Sequence, residues 1–414
     1  MNVAKIADVI VVPVNGGFFH DDLDAVRQGA MRDGQTYIGT PVTSGFEGVR
    51  VPARGIGIGL RLDDGTVVWG DAVTVQYCGA GGRERAPVLD HSLVSRLRET
   101  LCNKEVAGFA TGLSSVLADF DNAALRYGLS QVWLLAVAAA QRRTACEVLC
   151  EEYGLPLPAG PVPVYAQSGD ERYGNAEKMI MKQVDALPHG LINSVEKFGV
   201  AGETLFEYVR WLVTRIGELG GRDYQPTIHL DLYGMAGRAF DNDLSEVADY
   251  LTRLEKIAGP YPLRIESPVD LGSRRGQIDG LAALRAALRD RSSVVGIVAD
   301  EWCNTLGDIQ AFVAAEACDM IQVKMPDLGS IEDSLLGVLH CRAAGVGALL
   351  GGSCAETEVS ARVAVHVALA SRPDVQLAKP GMGVDEGLML VRNEQARLLA
   401  LLDATRRPAG AGEG

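Results

Sequence analysis

The amino-acid sequence predicts an α/β protein in two halves, a TIM-like (β/α)8 barrel preceded by a smaller α+β region. Three observations predict it. A hairpin signal is confined to the first 160 residues, eight short apolar runs then alternate with helix-length segments, and charged residues recur at the C-terminal ends of those runs. At 414 residues the chain exceeds a single domain of ~150 residues, although one barrel absorbs roughly 200–250. Residues 1–160 are therefore read as one domain, 161–400 as the barrel and 401–414 as a flexible tail.

The N-terminal run MNVAKIADVIVVPVNGG is short, carries Asp8 and lacks a small-residue cleavage signature, so it reads as a strand rather than a signal peptide. In VRVPARGIGIGLRLDDGTVVWGDAV, two β-rich runs flank Asp64-Gly65, a hairpin dipeptide. The glycine clusters GIGIG (55–59) and GAGG (79–82) do not complete a GxGxxG between a strand and a helix, and both are expected to be turns. Residues 90–152 have helical period. SQVWLLAVAAAQRRTACEVLCEEYG predicts a helix ending at Gly154, and Pro156 and Pro158 beyond it set a boundary near 155–162.

Composition narrows the partners. The chain is 47% hydrophobic and 22% charged, which excludes disordered and fibrous classes. Its net charge of −14 repels phosphate backbones and anionic lipid, so small molecules and metal cations are better partners than nucleic acid or a membrane surface. The longest apolar run, Val132 to Ala140, is about half a bilayer span. A cytoplasmic protein is expected. The eight cysteines form no CxxC pair and are expected as free thiols; Cys146 and Cys150 lie one helical turn apart without a companion ligand nearby.

The second half predicts strands at 162–167, 189–195, 227–233, 263–269, 294–301, 320–326, 347–352 and 375–380. Alternation alone fits a closed barrel or an open doubly wound sheet; the placement of polar residues favours the barrel. Asp231, Glu266 and Asp300 close three successive strands at spacings of 35 and 34 residues, each one βα unit. Any one of them reads as a solvated loop acid or a helix cap. Together on one rim they repel, and a hard divalent cation, Mg²⁺, relieves that repulsion. Gln322 and Lys324, two apart on the next strand, share a face. Burial beside a metal predicts a lowered pKa for Lys324, making it a general base; a plain ion pair with a barrel carboxylate stays open. His189 is expected at the start of the second strand, in a structural or a catalytic role. His229, two residues before Asp231, is expected in the core.

These residues sit in stretches that span the chain: GFFHDD (17–22), VQYCGAGGR (75–83), AQSGDERY (166–173), HGLINSVE (189–196), HLDLYG (229–234), LRIESP (263–268), VADEWCNT (298–305), IQVKMPDLG (321–329), GGSCAET (351–357) and AKPGMGVDEG (378–387). In them the sequence resembles the methylaspartate ammonia-lyases (3-methylaspartases) of the enolase superfamily. The resemblance implies an N-terminal capping domain on the barrel, a homodimer, Mg²⁺ with K⁺ as monovalent activator, and reversible deamination of L-threo-3-methylaspartate to mesaconate. It also implies Asp231, Glu266 and Asp300 as metal ligands and Lys324 as the base for the (2S,3S) substrate. His189 becomes the base on the opposite face for the other C3 epimer and a contact to the metal-bound carboxylate. Gln167, Gln322, Ser353 and Cys354 match substrate-binding positions. Three positions depart from the family pattern: Ser353 for threonine, Ala355 for asparagine and Ser267 for glycine. Two bases facing one carbon, Lys324 and His189, would equally suit an epimerase or racemase, and only the products separate these readings.

Overall fold

The structure, a computed structural model, describes residues 3–406. The N-terminal region is a three-stranded antiparallel sheet with helices packed on it. Strand β1 (Ile6–Asp21) pairs with β4 (Arg50–Leu62), and β4 pairs with β5 (Val67–Ala72) across the expected Asp64-Gly65 turn. A small hairpin of β2 (Met31–Asp33) and β3 (Thr36–Ile38) stands apart. GIGIG lies inside β4 rather than in a turn. Its alternate glycines make room for neighbours: a Cβ at Gly59 would meet the Trp69 ring at 2.9 Å, and one at Gly57 would press on Val14 at 2.9 Å. GAGG does form a turn, with Gly79, Gly81 and Gly82 all at positive φ.

The helix expected to run unbroken to Gly154 is two helices, Ala123–Gln141 and Ala145–Glu152. Arg142 turns left-handed at φ 54°, and Thr144 then caps the second helix in a capping box with Glu147. The first of these is the one helix among the described residues long and apolar enough to cross a membrane. It lies in the domain core, with Tyr127, Leu129, Val132, Trp133 and Leu134 fully buried.

Eight parallel strands follow and close into a barrel in chain order: β6 (Val164–Tyr165), β7 (Ala186–His189), β8 (Thr227–Asp231), β9 (Leu263–Glu266), β10 (Gly296–Ala299), β11 (Met320–Lys324), β12 (Gly347–Gly351) and β13 (Val375–Leu377). Their interior is plugged by Tyr165, Ala186, Val298, Met320, Leu349, Val375 and Leu377, so the barrel is a packed core with a polar mouth. Strand β7 ends at His189 instead of beginning there. Pro188 hides it in the sequence, because proline is rare inside a central strand; here its carbonyl still accepts from Ser168 N–H at 2.9 Å. Residues 401–406, expected in a tail, continue the final helix Asp385–Arg406, anchored by buried Leu402. The remainder of the expected tail, 407–414, lies outside the described residues.

Candidate active site

The last residue of β8 is Asp231, the last of β9 is Glu266, and Asp300 follows β10 directly. Parallel pairing puts Asp231 opposite Glu266. All three side chains are buried, and one carboxylate oxygen from each lies within 4.8 Å of the others. Burial and the charges of Asp231 and Asp300 drive the Glu266 pKa well above the usual carboxylate range. Three hard oxygen donors, dry and mutually repelling, fit a hard divalent cation.

The other atoms of the trio are held. Glu266 accepts from the Gln322 amide through Oε1 and meets His229 Nε2 at 2.8 Å through Oε2. His229 is buried, stacked 4.2 Å from the Tyr165 ring, and burial pushes its pKa well below 6.5, so Nε2 and Oε2 share one hydrogen. The residue expected in the core therefore orients a carboxylate of the trio as well. Asp231 Oδ1 accepts from Tyr233 N–H at 3.1 Å, and Oδ2 lies 3.4 Å from His189 Nε2. Because His189 Nδ1 accepts from Leu191 N–H at 3.2 Å, the neutral ring carries its proton on Nε2, facing Asp231 and the Tyr233 hydroxyl.

Lys324 Nζ donates to Asp300 Oδ2 at 2.6 Å. Burial and nearby Arg83 lower its pKa, but the charges of Asp300, Asp327 and Glu301 outweigh them and the net shift is upward. The expected lowering applies to a lysine beside a bound metal; among the protein's own groups, the pairing with Asp300 outweighs burial. On Asp300 itself, burial pushes upward while Lys324 and Arg83 hold the carboxyl below its usual range. Arg83 reaches into the mouth from the N-terminal domain, donating to Asp300 Oδ1 at 2.8 Å and to Asp327 Oδ2 at 2.7 Å. Next to Asp300, Glu301 is raised to about 7 by burial and by the Asp300 charge, and it accepts from the Ser267 hydroxyl.

One cavity is lined by Gln167, His189, Asp231, Asp300, Gln322, Lys324, Ser353 and Cys354, and also by Gln76, Tyr77 and Arg83 from the N-terminal domain. The Gln167 amide oxygen is buried with no partner among the described residues. Ser353 Oγ accepts two backbone N–H groups, from Gln76 at 2.9 Å and Ala355 at 3.1 Å. Both lone pairs are then used, which leaves the hydroxyl proton to donate; Cys354 Sγ lies 3.9 Å away. The expected metal and substrate residues thus meet at one mouth. Sequence reasoning passed over Gln76 and Arg83, which come from the domain that covers the barrel. Both lie in VQYCGAGGR, and the glycine cluster beside Arg83 was the available signal.

Known proteins match along both halves. Residues 4–154 match the family model for the methylaspartate ammonia-lyase N-terminus, and residues 156–404 that for its C-terminus. Methylaspartate ammonia-lyase 1 of Carboxydothermus hydrogenoformans is 48% identical over 411 residues, covering 97% of this chain and 98% of the relative. Among solved structures, the Citrobacter amalonaticus methylaspartate ammonia lyase containing (2S,3S)-3-methylaspartic acid superposes with a TM-score of 0.92 at 45% identity, covering 96% of this chain and 100% of that one. The Mg complex of β-methylaspartase from Clostridium tetanomorphum does so at 0.88 and 43%, covering 97% and 100%.

Proposed function

The chain belongs to the methylaspartate ammonia-lyase family of carbon–nitrogen lyases, and on that premise we propose that it eliminates ammonia reversibly from L-threo-3-methylaspartate to give mesaconate. The observation that carries this reading is the convergence of Asp231, Glu266 and Asp300 within 4.8 Å, with Lys324 Nζ 2.6 Å from Asp300.

The chemistry is a proton abstraction next to an ionised carboxylate, which builds a second negative charge on that group. Asp231, Glu266 and Asp300 would hold Mg²⁺, which when bound would supply positive charge to offset the developing negative charge. Lys324, in its uncharged form, takes the C3 proton through Nζ. The C3–H electron pair forms the C2–C3 double bond as the C2–N bond breaks and ammonia leaves. The donors of Gln322 and His189 face the C4 carboxylate, where the charge develops. Gln167 and the Ser353–Cys354 segment grip the C1 carboxylate, aligning the C–N bond for elimination; the spare Ser353 proton suits that acceptor. For the other C3 epimer the resemblance makes His189 the base, a role that requires its hydrogen to move from Nε2 to Nδ1 at the cost of the Leu191 bond.

The family resemblance adds K⁺ as activator, a homodimer and a cytoplasmic address. The test is direct. Purified protein with 3-methylaspartate, Mg²⁺ and K⁺ should develop the ultraviolet absorbance of a conjugated diacid and release ammonium; epimerised substrate without ammonium would mean an epimerase or racemase instead. Lys324→Ala should lower turnover of the (2S,3S) substrate on the order of 10³-fold or more with Mg²⁺ binding kept. Near-normal rates in that variant would refute the assignment.

A further inference from the structure

Beneath the Ser353–Cys354 segment lies a buried charge pair that the reaction does not use. Lys379 Nζ donates to Glu356 Oε1 at 2.8 Å and to Gly351 O at 3.2 Å, and the Tyr127 hydroxyl donates to Glu356 Oε2 at 3.0 Å. All three side chains are fully buried. They come from three places: Tyr127 from the long helix of the N-terminal domain, Glu356 from the loop after β12, and Lys379 from the loop after β13.

The pair bears on the substrate segment from below. Glu356 Oε1 accepts the Ser353 backbone N–H at 2.9 Å, on the same oxygen that Lys379 holds. Gly352, at φ 154°, must be glycine, because a Cβ there would collide with Glu356 Oε1 and Lys379 Nζ. The Glu356 backbone carbonyl accepts Gly17 N–H at 2.8 Å, a second tie to the N-terminal domain. A dry ion pair is seldom a gain in stability over an apolar equivalent, so its presence here calls for a role in geometry.

We infer that Lys379, Glu356 and Tyr127 form a positioning unit that fixes the Ser353 amide and hydroxyl for the substrate C1 carboxylate, and couples that grip to the seating of the N-terminal domain. The inference rests on the lyase reading above and deepens it. None of the three residues lines the substrate cavity; they act through Ser353. Loosening them lowers affinity for the carboxylate without touching the trio or Lys324, so KM rises by more than kcat falls and Mg²⁺ binding is unchanged.

The experiment compares the full-length Glu356→Gln/Lys379→Met double variant, which removes both buried charges together, with Tyr127→Phe, which keeps volume and deletes one hydrogen bond. The double variant should raise KM for 3-methylaspartate at least tenfold, with kcat within about threefold of wild type and Mg²⁺ affinity unchanged. Tyr127→Phe should raise KM two- to fivefold, and it supplies the measurement if the double variant does not fold. An unchanged KM in a folded variant of either kind, or a fall in kcat with KM constant, overturns the inference while leaving the lyase reading intact. A wild-type protein that releases no ammonium overturns the lyase reading, and the inference with it.

Discussion

The two ends of the barrel are both lined with aspartates, and they use them in opposite ways. At the floor, Asp185, Asp319 and Asp374 each stand one residue before a strand and staple the start of the preceding strand. Their carboxylates accept backbone N–H groups of Val164 at 2.8 Å, Ile297 at 2.9 Å and Ala348 at 2.8 Å. Each satisfies an amide that the parallel ladder leaves over at its edge. At the mouth, Asp231, Glu266 and Asp300 face one another, and burial with like charge raises Glu266 instead of settling it. The floor acids satisfy backbone amides; the mouth acids repel one another in an arrangement that could hold a cation.

That contrast can be broken most sharply at the mouth. Glu266→Gln keeps the shape of the side chain and removes one of the three repelling charges. Turnover should fall by about three orders of magnitude or more, while the metal-free protein melts close to wild type, because relief of the repulsion offsets the hydrogen bonds to Gln322 and His229 that an amide disturbs. A metal-free variant several degrees less stable would show that the trio is held by attraction, contrary to this account.

A buried histidine at neither rim sharpens the comparison by adding a sensitivity to acid that does not come from the carboxylates. His366 is held at about 4 by burial, and its Nδ1 accepts the Cys146 N–H at 3.2 Å, a bond that requires the unprotonated nitrogen. The folded pKa lies below the unfolded value of 6.5, so between pH 6.5 and 4 the unfolded chain binds more protons and stability falls as pH falls. The advantage of wild type over His366→Gln should therefore shrink by up to about 3 kcal/mol from pH 7 to pH 4 in urea unfolding. A difference independent of pH would remove His366 from the account.

At the floor the effect is smaller and confined to stability. Asp374→Ala leaves the Ala348 amide without its carboxylate and should cost about 1–3 kcal/mol. Steady-state kinetics should give wild-type kcat and KM. A large loss of turnover in a folded Asp374→Ala protein would erase the distinction between the two ends.

Much of this was legible in the sequence. Asp231, Glu266 and Asp300 each follow an apolar run by zero or one residue, and a strand has only one direction, so their shared rim could be read from spacing. His189 could not be placed as well, because Pro188 masked the strand it ends. The charge state of Lys324 was out of reach, since it turns on one oxygen of Asp300 lying 2.6 Å away rather than on burial alone. Arg83, Gln76 and Tyr127 come from another domain, and no local periodicity reports which side chains a cap lowers into a barrel. The Glu356–Lys379 pair was hidden for a related reason: its partners sit in adjacent loops whose separation in the chain carries no pattern.

Titration calorimetry of Mg²⁺ into the purified protein tests the central claim most directly. The account predicts one site in wild type, retained in Lys324→Ala and Asp374→Ala and weakened on the order of 100-fold or more in Glu266→Gln. Wild-type affinity in Glu266→Gln would mean that the cation, if it binds, sits somewhere other than the mouth acids.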